Sequence, residues 1–208
     1  MAEQAAAAPP RRWPFHPYAK YAFLEDLDRT RRIPIGRLWG TRIAVTPTAW
    51  LQVPFFFALG VALTFLPGRL PLAAPIGDRV DNALLFTVAG LVANAAHALG
   101  HIVSGTLAGS AMDELLITAT RDANLYLGDQ RGVRGRTHIA RAVGGPAANL
   151  VVAAITFAAL IAWGGGGMHP LLDRIAGVNL LFGLGGFLPV PSVDGEVIWR
   201  EVRRGWRG

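Results

Sequence analysis

The chain has 208 residues, of which 52% are hydrophobic and 16% charged, and its formal net charge is +6. Its mean hydropathy of +0.36 is higher than that of ordinary soluble domains, so the composition predicts a membrane protein. Because the chain has no cysteine, disulfides and thiolate metal ligands are excluded. A bound metal would therefore rely on histidine and carboxylate ligands.

Four apolar segments follow an arm at residues 1–45, which we predict to be cytoplasmic. We place membrane spans at residues 48–66, 83–108, 142–163 and 175–190, because a hydrocarbon core about 30 Å thick takes about 20 helical residues. These spans lie in a core at residues 46–198, and a basic cytoplasmic tail follows at 199–208. The expected fold is an all-α polytopic membrane protein with a four-span helical core.

The fourth apolar segment differs from the other three in being shorter and rich in glycine. Its glycines stand at positions 177, 183, 185 and 186. This pattern predicts a span that breaks before it leaves the membrane. Irregular backbone at membrane depth is tolerated where it lines a cavity.

Basic residues concentrate before the first span, in the loop at 109–141 and after the fourth span. By the positive-inside rule, both termini and this loop are cytoplasmic. The rule also explains the positive net charge without nucleic acid, which we do not expect as a partner. The sequence thus predicts a multi-pass protein, which we expect in a prokaryotic cell membrane.

His97 and His101 lie four residues apart in the second predicted span. At about 3.6 residues per turn, both imidazoles leave one helix face, as in zinc hydrolases of the His-Glu-x-x-His type. In those enzymes the glutamate after the first histidine binds no metal but takes a proton from the water that zinc activates. Ala98 occupies that position here. Taken alone, two histidines at this spacing are also typical of core or surface residues whose hydrogen bonds are satisfied without a metal.

A carboxylate that can complete a metal site follows the fourth segment, at Asp194. Pro189 and Pro191 stop the helix, and Gly195 permits a tight turn that can aim the carboxylate inward. Ionisable residues in membrane segments are functional candidates. Two histidines and one carboxylate would leave a fourth position for water. The alternative is a simple helix exit and turn at the membrane interface.

Three motifs together resemble those of the site-2 protease family of intramembrane zinc metalloproteases. They are His-x-x-x-His at 97–101, Gly-Pro-x-x-Asn at 145–149 and Leu-Pro-x-x-x-x-Asp-Gly at 188–195, and residues 38–45 resemble the family's lead-in to its first core span. The resemblance implies a minimal form without a PDZ or nucleotide-sensing domain. It implies Zn²⁺ bound by His97, His101 and Asp194. Asn149 would orient or polarise the scissile carbonyl, with a packing hydrogen bond as its open alternative.

Family substrates are single membrane-spanning helices, often of regulatory proteins, which are cleaved within the bilayer. Ala98 departs from the family motif, so the resemblance predicts a protease that is inactive as written. Because only the residue that acts without binding metal is missing, we favour an engineered Glu→Ala replacement. The alternative is a natural pseudoprotease that binds or regulates membrane proteins. Glu196 is a second departure, where the family often has glycine.

The cytoplasmic loop after the second span contains two stretches typical of strands, at 114–120 and 124–127. The intervening Arg121-Asp122-Ala123 predicts a small β-hairpin. An exposed strand edge can hold an extended substrate by β-addition, although a cap without a substrate role is equally compatible. The expected partners are therefore a single-span membrane protein and the lipid bilayer, and the sequence indicates no oligomeric state.

Overall fold

The computed structural model describes residues 27, 29–66, 74–128, 130, 132–163 and 169–205. Residues 1–26 of the predicted arm and 206–208 of the predicted tail lie outside the described residues. The described strands are β1 (Ile33–Leu38), β2 (Thr41–Val45), β3 (Glu114–Ile117) and β4 (Asp122–Leu125). The described α-helices are α1 (Gln52–Leu63), α2 (Ile76–Leu107), α3 (Gly135–Ala162), α4 (Pro170–Gly186) and α5 (Asp194–Gly205).

Two helices, α2 and α3, are long and apolar enough to cross a membrane, judged over the described residues by length and composition. They correspond to the predicted second and third spans, but each begins seven residues earlier and ends one residue earlier than predicted. The first and fourth predicted spans correspond to α1, with 12 residues, and α4, with 17 residues. At about 1.5 Å per residue both are shorter than a hydrocarbon core of about 30 Å. Four crossings therefore stay a prediction.

The helices expose many large apolar side chains on the outside and bury several small or polar ones. Outward residues include Leu84, Leu99 and Leu107 on α2, Ile155 and Ile161 on α3, and Leu181 and Leu184 on α4. Thr87, Asn149 and Asn179 are instead buried between helices. A helix bundle with large apolar side chains outside and amides inside is suited to lipid surroundings.

Backbone contact between α2 and α3 brings the two halves of the site together. A β-carbon on Gly100 would lie 2.6 Å from Cβ of Ala148, and one on Gly144 would lie 2.6 Å from Cβ of Ser104. Real side chains cannot approach so closely, so only glycine allows this helix spacing. The histidines of α2 consequently face α3 directly.

The hairpin predicted between α2 and α3 is half of a four-stranded sheet with the order β1-β2-β3-β4. β1 and β2 fall within residues 1–45, which we predicted as an arm, and β2 pairs in parallel with β3. The turn of the β3–β4 hairpin lies at residues 118–121, earlier than the predicted Arg121-Asp122-Ala123. Local patterns missed the sheet because parallel pairing joins segments about 70 residues apart.

The expectation that glycines interrupt the fourth apolar segment is wrong, because α4 is one continuous helix from Pro170 to Gly186. Its glycines serve close packing instead. A β-carbon on Gly183 would lie 2.6 Å from Cδ2 of Leu150, and one on Gly186 would lie 2.5 Å from Cγ of Pro146. The break follows at Phe187, where the chain leaves the helix before α5.

Asp194 is the first residue of α5, and the turn before it differs from the predicted one. The left-handed residue in this turn is Ser192, with φ of 67°, whereas we expected Gly195 to permit the turn. Gly195 is required for another reason, since a β-carbon there would collide with the carbonyl oxygen of Leu188. The basic residues predicted as a tail begin within α5, which packs against α3.

Candidate metal centre

His97, His101 and Asp194 converge where α2 meets the start of α5. Nε2 of His97 lies 2.9 Å from Oδ2 of Asp194, and Nε2 of His101 lies 3.4 Å from Oδ1. One donor atom from each residue falls within 4.8 Å of the other two. The structure therefore brings together all three residues that the resemblance assigned to a metal.

The imidazole of His101 is fixed by the backbone of α3. Nδ1 donates to the carbonyl oxygen of Arg141 over 2.8 Å, and a carbonyl can only accept. Nε2 therefore carries the free lone pair, and it is a buried atom without a hydrogen-bond partner among the described residues. A buried lone pair of this kind is unfavourable unless something binds it.

The imidazole of His97 has an outer partner on α3 as well. Nδ1 lies 2.7 Å from Oδ1 of Asn149, a fully buried side chain. Histidines that bind metal through one ring nitrogen usually donate from the other to such an acceptor. Both histidines thus have the outer contacts that metal ligands require.

The donor set and its surroundings fit a zinc ion. Two imidazoles and one carboxylate with an open fourth position are a known type of catalytic zinc site, and tetrahedral bonds of about 2.1 Å set ligand atoms about 3.4 Å apart. The Nε2–carboxylate distances, 2.9 Å from His97 to Oδ2 and 3.4 Å from His101 to Oδ1 of Asp194, lie at or somewhat below that spacing. Gly145 leaves room beside both rings, because a β-carbon there would lie 2.6 Å from Nε2 of His97.

Ala98 does not share the polar surroundings of its neighbours. It is 5% exposed and belongs to an apolar cluster with Ile102, Met112 and Leu115. Leu38, Ile43 and Tyr126 pack against the same cluster. The position at which the motif requires a glutamate therefore faces the packing between α2 and the sheet.

A second polar group, which the sequence analysis did not identify, lies beside the histidines. Gln52 Nε2 donates to Oδ1 of Asp122 over 3.0 Å and to the carbonyl of Thr118 over 2.9 Å. Asn94, one turn before His97, donates to Oε1 of Gln52 over 3.3 Å. These contacts join β4, α1 and α2 next to the candidate metal centre.

The pKa of the Asp122 carboxyl is higher than usual for an aspartate. Removal from water raises its pKa to about 6, although hydrogen bonds from Gln52 and Asn94 and the charges of His97 and Arg121 oppose the rise. Arg121, its chain neighbour, donates from Nη2 to the carbonyl of Ser192 over 2.7 Å. The hairpin turn is therefore attached to the loop that carries Asp194.

Glu196, the second departure from the family motif, has a local role in the structure. Its Oε2 accepts a hydrogen bond from the backbone N–H of Ser192 over 2.9 Å, at the start of α5. A glutamate that reaches back to such an N–H stabilises a helix N-terminus. The contact stabilises the turn that presents Asp194.

Comparison with solved structures finds a similar fold in a chain described as Site-2 Protease from Methanocaldococcus jannaschii. The TM-score is 0.53, the sequence identity is 15%, and the match covers 83% of this chain and 71% of that one. No protein-family model and no curated protein matches the sequence. The described fold is thus similar to that of a site-2 protease, and at this sequence identity the likeness concerns the fold alone.

Proposed function

We propose that the protein is a zinc-binding intramembrane protein of the site-2 protease type, built to act on transmembrane helices of single-span regulatory proteins. The main supporting observation is the convergence of His97, His101 and Asp194, whose donor atoms lie within 4.8 Å of one another. The similar fold of a site-2 protease supports the assignment. Zn²⁺, when bound there, would act as a Lewis acid that activates water and polarises a peptide carbonyl.

The remaining roles, binding the ion and orienting its ligands, would belong to residues of the chain. His97, His101 and Asp194 would hold the ion, while the carbonyl of Arg141 and the amide of Asn149 orient the two rings. No group at position 98 can take up a proton, because alanine has no titratable side chain. The chain as written is therefore proposed to be inactive, through loss of a general base that contributes about 10²- to 10⁴-fold in rate.

We propose that substrate is held in an extended form near β4. A helical substrate hides its scissile amide, and an exposed strand can bind an unwound segment through main-chain hydrogen bonds. β4 is an edge strand of the described sheet, and its first residue, Asp122, contacts Gln52 beside the metal centre. This placement supports an edge-strand role for β4.

A second candidate function is non-catalytic binding or regulation of membrane proteins. Its supporting observation is the packing of Ala98, which is 5% exposed among Ile102, Met112 and Leu115. An apolar cluster suits alanine better than a glutamate that must reach water. A natural pseudoprotease would have no need to keep that position polar.

Zinc analysis of the purified protein in detergent tests the proposal. We expect one zinc per chain in the parent and none in Asp194→Ala. Asp173→Ala is the matched control, since it removes an exposed carboxylate from α4. Zinc occupancy that is equal in all three proteins would remove Asp194 from the site and contradict the proposed function.

A further inference from the structure

Two fully buried amide side chains lie behind His97, at Asn149 on α3 and Asn179 on α4. Each carries two N–H donors and one acceptor oxygen, and burial of these groups without hydrogen-bond partners is strongly unfavourable. Sequence motifs singled out Asn149 but gave no sign of Asn179. Their hydrogen bonds connect α4 to the candidate metal centre.

The orientation of both amides is fixed by backbone carbonyls. Nδ2 of Asn179 donates to the carbonyl of Ile175 over 2.9 Å, so Oδ1 of Asn179 must face Asn149. Nδ2 of Asn149 donates to that oxygen over 2.9 Å and to the carbonyl of Ala93 over 2.8 Å. Both N–H groups of Asn149 are therefore used, and its oxygen is the atom that faces His97.

This orientation requires a proton on Nδ1 of His97. An amide oxygen only accepts, so Nδ1 of His97, 2.7 Å away, must be the protonated nitrogen. Nε2 lies 2.9 Å from Oδ2 of Asp194, a second acceptor, so a proton on Nε2 or a metal ion in its place would join these two atoms. In the series of hydrogen bonds that links Ile175, Asn179, Asn149 and His97, the donor and the acceptor of each bond are therefore fixed.

We propose that Asn149 and Asn179 form a relay of positioning residues that keeps a proton on Nδ1 of His97 and so leaves Nε2 as the metal-binding atom. The metal part of this inference rests on the proposed function. It assigns Asn149 a role different from the expected orientation of a substrate carbonyl, because neither of its N–H groups remains for substrate. It also makes α4 a contributor to the metal centre through Asn179.

Metal affinity is the first measurement. Competition of the purified protein with a zinc chelator should show binding about 10- to 100-fold weaker in Asn149→Leu, the range typical of outer partners of metal ligands. Asn179→Leu should weaken binding less, since Asn149 keeps its bond to Ala93. Thr156→Val is the matched control on α3, because the hydroxyl of Thr156 donates to the carbonyl of Val152 within the same helix.

The histidine tautomer is the second measurement, and it needs no metal. Nitrogen NMR of metal-free protein labelled in histidine, with His97 assigned by a His97→Gln variant, should show Nδ1–H at His97 in the parent. Asn149→Asp should retain this tautomer, because a carboxylate also accepts, whereas Asn149→Leu should lose it. An unprotonated Nδ1 at His97 in the parent protein would overturn the relay even if no variant folds, whereas a proton on Nε2 as well is compatible with it, because Nε2 faces the carboxylate of Asp194.

The outcomes separate the relay from the proposed function. Unchanged zinc affinity and tautomer in Asn149→Leu, with normal zinc binding by the parent, would reject the relay alone. A parent that binds no zinc but shows the expected tautomers would reject the proposed function and leave the relay in place.

Discussion

Gly145 on α3 faces Nε2 of His97 so closely that a β-carbon at this position would lie 2.6 Å from that nitrogen. The same β-carbon would collide with Nε2 of His101. The first residue of the Gly-Pro-x-x-Asn motif therefore keeps space open at the two nitrogens that would bind metal. Glycine is needed here for its missing side chain, and α3 is continuous through it.

Gly145→Ala should weaken zinc binding by at least about tenfold, because its methyl group intrudes on the ligand nitrogens. Gly177→Ala on α4 is the control, since a β-carbon there would meet no atom within 4 Å. Chelator competition on both variants in detergent checks this. Zinc affinity that falls equally in both variants would contradict a steric role specific to Gly145.

Ala98→Glu should restore proteolysis if the metal centre is otherwise complete, with a gain of about 10²- to 10⁴-fold from general-base chemistry. Ala98→Gln should not, because an amide of similar shape cannot accept the proton. Cleavage of coexpressed single-span membrane proteins, followed by immunoblot, compares the two. Because Met112 packs against Ala98, the double variant Ala98→Glu with Met112→Ala tests whether crowding limits the gain.

Two results of that comparison would reject the disabled-protease interpretation. One is activity in both the Glu and the Gln variants, since repaired packing rather than base chemistry would then explain it. The other is no activity in any variant while zinc remains bound and an accepted substrate is present. Either result would favour the non-catalytic binding protein.

Asp122 should make the stability of the protein depend on pH. Its folded pKa of about 6 exceeds the value of about 3.9 expected for an unfolded chain. The folded state therefore holds the proton more tightly. Protonation of Asp122 stabilises the folded state fully below pH of about 4. As the pH rises through about 6, this contribution to the free energy of unfolding, up to about 3 kcal/mol, is lost.

Thermal unfolding in detergent at pH values between about 4 and 7 checks this prediction on the parent and on Asp122→Asn. The variant cannot lose the proton, so its unfolding temperature should fall less as the pH rises. Identical pH dependence in the two proteins would show that the carboxyl of Asp122 does not titrate in this range.

The sheet predicts which segments share one side of the membrane. Residues 33–45 and 114–125 pair in a single sheet, so they must lie on the same side of a bilayer. Together with the positive-inside rule, this predicts cytoplasmic labelling of cysteines at Trp39, Arg131 and Arg204. Trp39 is 61% exposed, and the chain has no native cysteine to give background. Labelling of any of the three from outside would contradict the topology.

The sequence alone predicted the features that depend on short segments. Apolar length identified α2 and α3, and helical spacing put His97 and His101 on one face of α2. The motif around Asp194 pointed to the third ligand. Each of these signals lies within one helix or turn, where the pattern of side chains reports the local geometry directly.

Tertiary structure decided what depends on contacts between distant segments. The parallel pairing of β2 with β3 and the chain from Asn179 through Asn149 to His97 join separate elements. A glycine in α4 carries no local sign of whether it breaks a helix or admits Leu150, as Gly183 does. Likewise, nothing in the local sequence indicates the raised pKa of Asp122, because it arises only when the fold removes the carboxyl from water and places Gln52 beside it.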